Sequence, residues 1–217
     1  MTYLIFMVIY TEEKAEKMLS RYVPVAKSVL AKNVEQAIKI AGKIKFPLVL
    51  KIISPKAIHK TEINGIRFAS NEDELKKEYA DLMKMAKKKR LKPTGILVQE
   101  LVSGEEVIIG IKKDATFGHV IALGMGGKYV EVFKDITFRV CPIGEKDAES
   151  MIQDLKFKKI LYGVRGRKAV NMKLLRSVLI KVSKFPLNNK NIEELDINPF
   201  IINDKIGKAV DARILTK

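Results

Sequence analysis

The chain has no tryptophan, a single cysteine, two histidines and an aromatic content of only 7%. One thiol, Cys141, excludes a disulfide framework and fits a reducing compartment. There is no Trp, and no stacking aromatics are interleaved with the densest basic run, Lys87 to Arg90, which argues against a dedicated nucleic-acid role. Long apolar runs are also missing. Residues 1–10, MTYLIFMVIY, form the one extended stretch, and it is too short to span a bilayer. No Lys or Arg precedes it and no small-residue cleavage site follows, so the expectation is a buried N-terminal strand and a cytoplasmic protein. Acidic residues are scarce beside basic ones, 25 against 41, giving a formal charge of +16. Such a surface attracts polyanions, including nucleotides and acidic partners. The lysines are scattered, and the densest run, Lys87-Lys88-Lys89-Arg90, ends a predicted helix, where cations suit the dipole.

What is present is an ordinary globular complement, 47% hydrophobic over 217 residues, enough for one domain or two small lobes. Thr11 to Tyr22 reads as a short amphipathic helix. Asn33 with Gln36, and Asn71 with Glu74, read as capped starts of two more, the second running to about Arg90. Leu48 to Ile53 is a strand buried on both faces, and Gly65 to Ala69 another. From Gly95 the pattern turns to strands at 96–101, 106–112, 119–124 and 129–140. Helices near Glu145 and after Asn171 follow, then strands at 192–202 and 208–214. This predicts an α/β (α+β) chain of two lobes, 20–93 and 94–217, with 1–19 packing on them and a small-molecule cleft between.

Several residues stand out chemically. Two strands joined by the turn at Asn203-Asp204-Lys205 bring Asn198 alongside Asp211. A neutral and a charged oxygen suit Mg²⁺ whose other ligands are water and phosphate; the plain alternative is an Asn and an Asp satisfied by backbone. Lys51, mid-strand among apolar neighbours, is costly to bury unpaired, which favours a phosphate contact over a snorkelling stem. The strand ending Gln99-Glu100-Leu101 offers backbone groups to an adenine, and Glu106 a carboxylate to ribose hydroxyls. His59, beside Lys60 in a polar loop, is a possible nucleophile toward phosphorus, although a loop histidine is more often inert. His119 reads as structural. Gly124-Met125-Gly126-Gly127 can cradle an anion but lacks the Lys-Ser/Thr of a P-loop. Glu131, Arg139 and Arg165-Gly166-Arg167 add charge beyond it, with a solvated face as the default.

Taken together, PLVLKIISP at 47–55, HKTEINGI at 59–66, GILVQELVSGEEVIIGIKKDATFGHV at 95–120 and GMGGKYVEVFKDITFRVCPI at 124–143 carry a resemblance that GVRG at 163–166, ELDINP at 194–199 and VDARI at 210–214 complete. The chain resembles the ATP-grasp β subunit of the ADP-forming acetyl-CoA (acyl-CoA) synthetases, relatives of succinyl-CoA synthetase. The resemblance implies an ATP-grasp fold with ATP/ADP and Mg²⁺ as cofactors. It implies that Lys51, and also Lys27, contact ATP phosphates, that Gln99, Glu100 and Leu101 form the adenine-reading hinge, and that Glu106 is the ribose acid. It further implies that Asn198 and Asp211 hold the metal and that His59 relays phosphate. Thr61-Glu62 and Asn64 depart from the family's Ser-Asp and first glycine at that segment. The implied reaction is ATP + carboxylate + CoA ⇌ acyl-CoA + ADP + phosphate, run with a CoA-binding α subunit in an α2β2 heterotetramer. Two other readings stand beside it: an ATP-grasp carboxylate ligase without a histidine relay, and a basic, non-catalytic module for nucleotide or nucleic acid.

Overall fold

A computed structural model describes residues 7–54, 63–127, 135–164 and 166–217. The chain divides into two compact units, Ala26–Leu101 and the remainder.

The smaller unit is an antiparallel sheet of four strands in the order β2-β5-β3-β4: β2 (Ser28–Ala31), β3 (Leu48–Ile53), β4 (Ile66–Ala69) and β5 (Gly95–Glu100). Helices α2 (Val34–Ile44) and α3 (Glu72–Lys88) cover one face. Both helices start where the sequence signals them. Asn33 accepts the Gln36 N–H at 2.9 Å and Asn71 the Glu74 N–H at 2.9 Å. The third helical residue of each reaches back in the same way, Gln36 taking the Lys32 N–H at 2.9 Å and Glu74 the Ser70 N–H at 2.7 Å. Each cap satisfies amide donors that the first turn leaves unpaired, worth about 1 kcal/mol per cap. Ala37, Ala41, Leu75, Tyr79 and Leu82 then meet Leu48, Leu50, Ile96 and Val98 in the core.

The larger unit is a seven-stranded antiparallel sheet. Its path is β1 (Val8–Ile9), β11 (Ala212–Thr216), β9 (Ile192–Ile202), β6 (Glu105–Asp114), β7 (Gly118–Met125) and β8 (Ile136–Val140), with β10 (Gly207–Ala209) also paired to β9. Helices α1 (Glu12–Leu19), α4 (Glu145–Asp154), α5 (Met172–Ser183) and the short α6 (Phe185–Asn188) belong to this unit. Val107, Ile109, Ile111, Ile121, Leu123, Leu195 and Ile197 point into the core with Met151, Leu175, Val178 and Leu179. The opposite face carries no helix among the described residues, and the candidate site lies there.

The boundary expected between residues 93 and 94 falls instead after Leu101, and the chain up to Val25 goes with the C-terminal part. The reason is β5, which is hydrogen-bonded in register between β2 and β3, so that residues 95–100 are interior to the small sheet. The helix expected over Thr11 to Tyr22 runs from Glu12 to Leu19, capped by Thr11.

Candidate functional site

From Glu194 to Asn198 strand β9 alternates in the normal way, with Leu195 and Ile197 in the core and Glu194, Asp196 and Asn198 on the open face. Beyond that point the core residues are Phe200 and Ile202, so the inward parity slips by one across Asn198-Pro199. Against β6 the slip is a β-bulge: Val107 pairs with Phe200 and Ile109 with Ile197, leaving Ile108 opposite two residues of β9. Bulges re-aim side chains and are among the few places where a central strand tolerates proline. On its other side β9 pairs with β10 up to Ala209–Phe200 and with β11 from Ala212–Ile197. Two residues on each strand bridge the gap. The Asn198 N–H donates to the Asp211 carbonyl at 3.1 Å, and the Val210 N–H to the Pro199 carbonyl at 3.2 Å. Asn198 and Asp211 are therefore cross-strand partners at a shared break, Asn198 exposed and Asp211 half-buried.

Asp196, two residues before Asn198 and cross-strand from Arg213, was not among the residues singled out from the sequence. Burial pushes its carboxyl above the ordinary range; the Arg213 guanidinium opposes this, and the neighbouring Glu194 and Asp211 carboxylates reinforce it. Arg213 also bonds Glu194 at 2.9 Å. The period-2 spacing Glu194-x-Asp196-x-Asn198 was the signal that could have found it. Beside this row a groove of about 400 Å³ opens on the same face, lined by Gly110, Lys112, Ala122, Phe138, Glu194 and Asp196 among others.

The donor set fits a hard, partly hydrated cation. Among the described residues no group of three or more His, Cys, Asp or Glu gathers around a metal position. Two adjacent oxygen-bearing side chains suit an ion such as Mg²⁺, which keeps water and phosphate as its other ligands, and do not suit a closed protein cage.

Glu106 lies in the same unit at the start of β6, wrapped by the glycine loop. The Gly126 N–H donates to its carbonyl at 2.7 Å, and a Cβ at Gly126 would come within 2.9 Å of its backbone. Gly127 has φ +87°, open to glycine at little cost, and sits beside the Glu106 carboxylate. The Gly126 amide, expected to help cradle an anion, is thus engaged by Glu106. Arg139 is held by Asp154 at 2.6 Å and by Ser150, Arg167 pairs with Glu105 at 3.1 Å, and His119 Nε2 lies 2.8 Å from the Ile192 carbonyl. All three serve the scaffold. Glu131 and Arg165 lie outside the described residues, as does His59.

In the smaller unit, Lys51 and Gln99 are 4% and 1% exposed. Leu48, Leu50 and Ile52 face the helices, so the alternation turns Lys51 to the other face. Gln99 lies on that face too, opposite Val49, and Lys51 is opposite Leu97. Lys27 extends the β2–β5 ladder: its N–H donates to the Glu100 carboxylate at 2.6 Å, and its carbonyl accepts the Glu100 N–H at 2.9 Å. The Leu101 N–H donates to the Pro47 carbonyl at 3.2 Å. The amides of Glu100 and Leu101 are therefore already bonded, leaving carbonyls and side chains as what this strand end can offer a nucleobase.

Comparison with known proteins identifies the fold and family. The ATP-grasp domain family matches residues 8–215. The chain is 37% identical to the β subunit of the ADP-forming acetate–CoA ligase I of Pyrococcus furiosus, over 94% of this chain and 90% of that one. It is 42% identical to the ADP-forming 4-hydroxybutyrate–CoA ligase of Nitrosopumilus maritimus, over 94% of this chain but only 30% of the longer protein. The dinucleotide-forming acetyl-coenzyme A synthetase 1 of Ca. Korarchaeum cryptofilum, solved with coenzyme A, Ca-AMPCP and HgCl⁺, superposes with a TM-score of 0.92 at 39% identity, covering 96% of this chain and 93% of that one. A second structure of that protein holds coenzyme A and Mg-AMPPCP with its phosphohistidine segment pointing towards the nucleotide binding site (TM-score 0.83, 37% identity, coverage 96% and 93%). The chain belongs to the ATP-grasp domain family, among relatives that include the β subunits of ADP-forming acetate–CoA ligases.

Proposed function

We propose that this chain is the nucleotide-handling β part of an ADP-forming acyl-CoA ligase of the acetate–CoA type, which moves a phosphoryl group between ATP/ADP and His59 and works with a CoA-binding α subunit in an α2β2 assembly. The observation that carries the reading is the break shared by β9 and β10–β11, which sets Asn198 and Asp211 opposite each other on an open sheet face. These two residues would hold Mg²⁺, which when bound would offset the charge that develops on the phosphates during transfer. Lys51, and Lys27 in the same unit, supply cations for the phosphates. Gln99, Glu100 and Leu101 take the adenine, and Glu106 the ribose hydroxyls.

The charges next to this pair support a histidine acceptor. Asp196 and Glu194 present carboxylates along the same face. A free carboxylate substrate brought there meets like charge, whereas an imidazole finds an acceptor for its second N–H. This supports the histidine relay over direct transfer to a carboxylate, and a basic non-catalytic module leaves the metal pair without a use. In the reaction His59 takes the γ-phosphoryl group from ATP, releasing ADP, and hands it on at the partner's acyl site. A covalent carrier suits two sites between which a phosphoryl group must travel without loss to water.

The test is incubation with γ-labelled ATP, Mg²⁺ and the α subunit. An acid-labile, base-stable label appears on this chain and vanishes in His59→Ala, with ATP binding retained. Normal overall turnover in His59→Ala would mean direct transfer and would remove the relay.

A further inference from the structure

In the larger sheet, β6, β7, β9 and β11 point their apolar side chains at the core, as burial requires. Strand β8 is inside out. Thr137 is buried, its hydroxyl donating to the Met151 carbonyl of α4 at 3.1 Å, and Arg139 bonds Ser150 and Asp154 on the same helix. Ile136, Phe138 and Val140 point the other way and are 37%, 57% and 50% exposed. Their register sets them beside Gly124, Ala122 and Val120 of β7. Phe138 also lines the groove that Glu194 and Asp196 border. Among the described residues β8 ends the sheet. Folding alone gives no reason to put polar residues on the helix layer and a row of three apolar ones in water. Exposed apolar rows on a sheet edge invite association unless a partner covers them.

We propose that the Ile136–Phe138–Val140 stripe, with the rim of the adjoining groove, is the docking surface for the CoA-binding subunit. This rests on the reading above that the chain is one part of a ligase. Two observations choose the occupant. The stripe lies on the same sheet face as Asp196, and the groove runs from Phe138 to Glu194 and Asp196, two residues short of Asn198, so a subunit seated on it stands beside the proposed phosphate site. A second copy of this chain is a poor occupant, because each copy carries +16. The groove rim mixes Lys112 and Lys113 with Asp114, Glu194 and Asp196, so the complementary surface has an apolar centre and a rim that carries both charges. A stable contact buries about 800 Å² per partner, so the three side chains are its anchor and the groove rim completes it.

The experiment uses the purified chain and the CoA-binding polypeptide that co-purifies with it from the native source, identified by mass spectrometry and by CoA binding. Association is measured for the wild type, for Phe138→Asp, and for Leu187→Asp, a control at an exposed apolar residue of α6 in the same unit. Phe138→Asp weakens association at least tenfold, Leu187→Asp does not, and both keep the wild-type affinity for Mg·ATP. Hydrogen exchange in the wild-type complex slows at 118–123 and 136–140, a readout that survives if Phe138→Asp misfolds. Wild-type association by a folded Phe138→Asp, or protection confined to other segments, overturns the proposal. So does a dimer of the chain alone that Phe138→Asp dissolves, because the stripe then pairs copies. Failure of any CoA-binding polypeptide to associate defeats both this proposal and the two-subunit reading. Loss of Mg·ATP binding in the wild type itself defeats the functional reading alone.

Discussion

In the smaller unit, Lys51 and Gln99 lie on an uninterrupted antiparallel ladder; in the larger unit, Asn198 and Asp211 lie where two strands leave their ladder together. The difference is one of physical means. A regular ladder places a group by parity alone, and the unusual feature is that a lysine occupies a buried position in it. A break places groups by interrupting parity. It spends a β-bulge and a proline in a central strand to turn two oxygen-bearing side chains outward side by side. The first arrangement holds one charge rigidly against a sheet. The second sets two oxygen-bearing residues opposite each other across the break.

The largest expected effect tests the break. Asp211→Asn keeps a side chain of the same shape and removes the charge that a divalent ion needs. Mg²⁺-dependent nucleotide turnover should fall by about 10²–10³-fold, on the order of 3–4 kcal/mol, with the far-ultraviolet circular dichroism unchanged. Full activity in a folded Asp211→Asn would remove the metal assignment and leave the break as scaffold only.

The regular ladder is tested by Lys51→Met, which keeps the apolar stem. Loss of a charge-assisted contact to phosphate should weaken nucleotide binding or turnover by about 10–100-fold. Unchanged nucleotide affinity in Lys51→Met would break the comparison, since the ladder would then carry no phosphate contact.

The two units also differ in how far the sequence disclosed them. Caps at Asn33, Asn71 and Asn171 and the buried run around Lys51 were legible because they depend on neighbours in the chain. The pairing of Asn198 with Asp211 was legible because a short turn joins their strands. The place of β5 was not: its strand character is local, but whether it sides with β3 or β6 is decided by pairing across distant residues. The reversed face of β8 was equally hidden, because Thr137 and Arg139 earn their inward positions from bonds to α4, and no period in the strand reveals that. Asp196 was overlooked because a single acid on a strand is usually solvated; only the sheet shows that Glu194 and Asp211 crowd it.

That crowding gives the smallest of the expected effects and the one that ties the break to a cost. The folded state raises the Asp196 carboxyl above its unfolded value, through burial first and then through the Glu194 and Asp211 carboxylates, against the pull of Arg213. A raised pKa means that the folded chain holds this proton more tightly. The resulting stabilisation is complete below the unfolded value, about 4, and is lost as pH rises through the folded value. At neutral pH, then, ionised Asp196 strains the fold. Asp196→Asn keeps the shape and removes the charge, and Arg213 retains Glu194 as a partner. The melting temperature at pH 7 should rise by about 2–4 °C, the usual scale for relieving one unfavourable functional residue. Below about pH 4 the gain should vanish, because the native carboxyl is then protonated in both states. A gain of equal size at pH 3.5 and pH 7 would show that packing, and not charge, separates the two side chains.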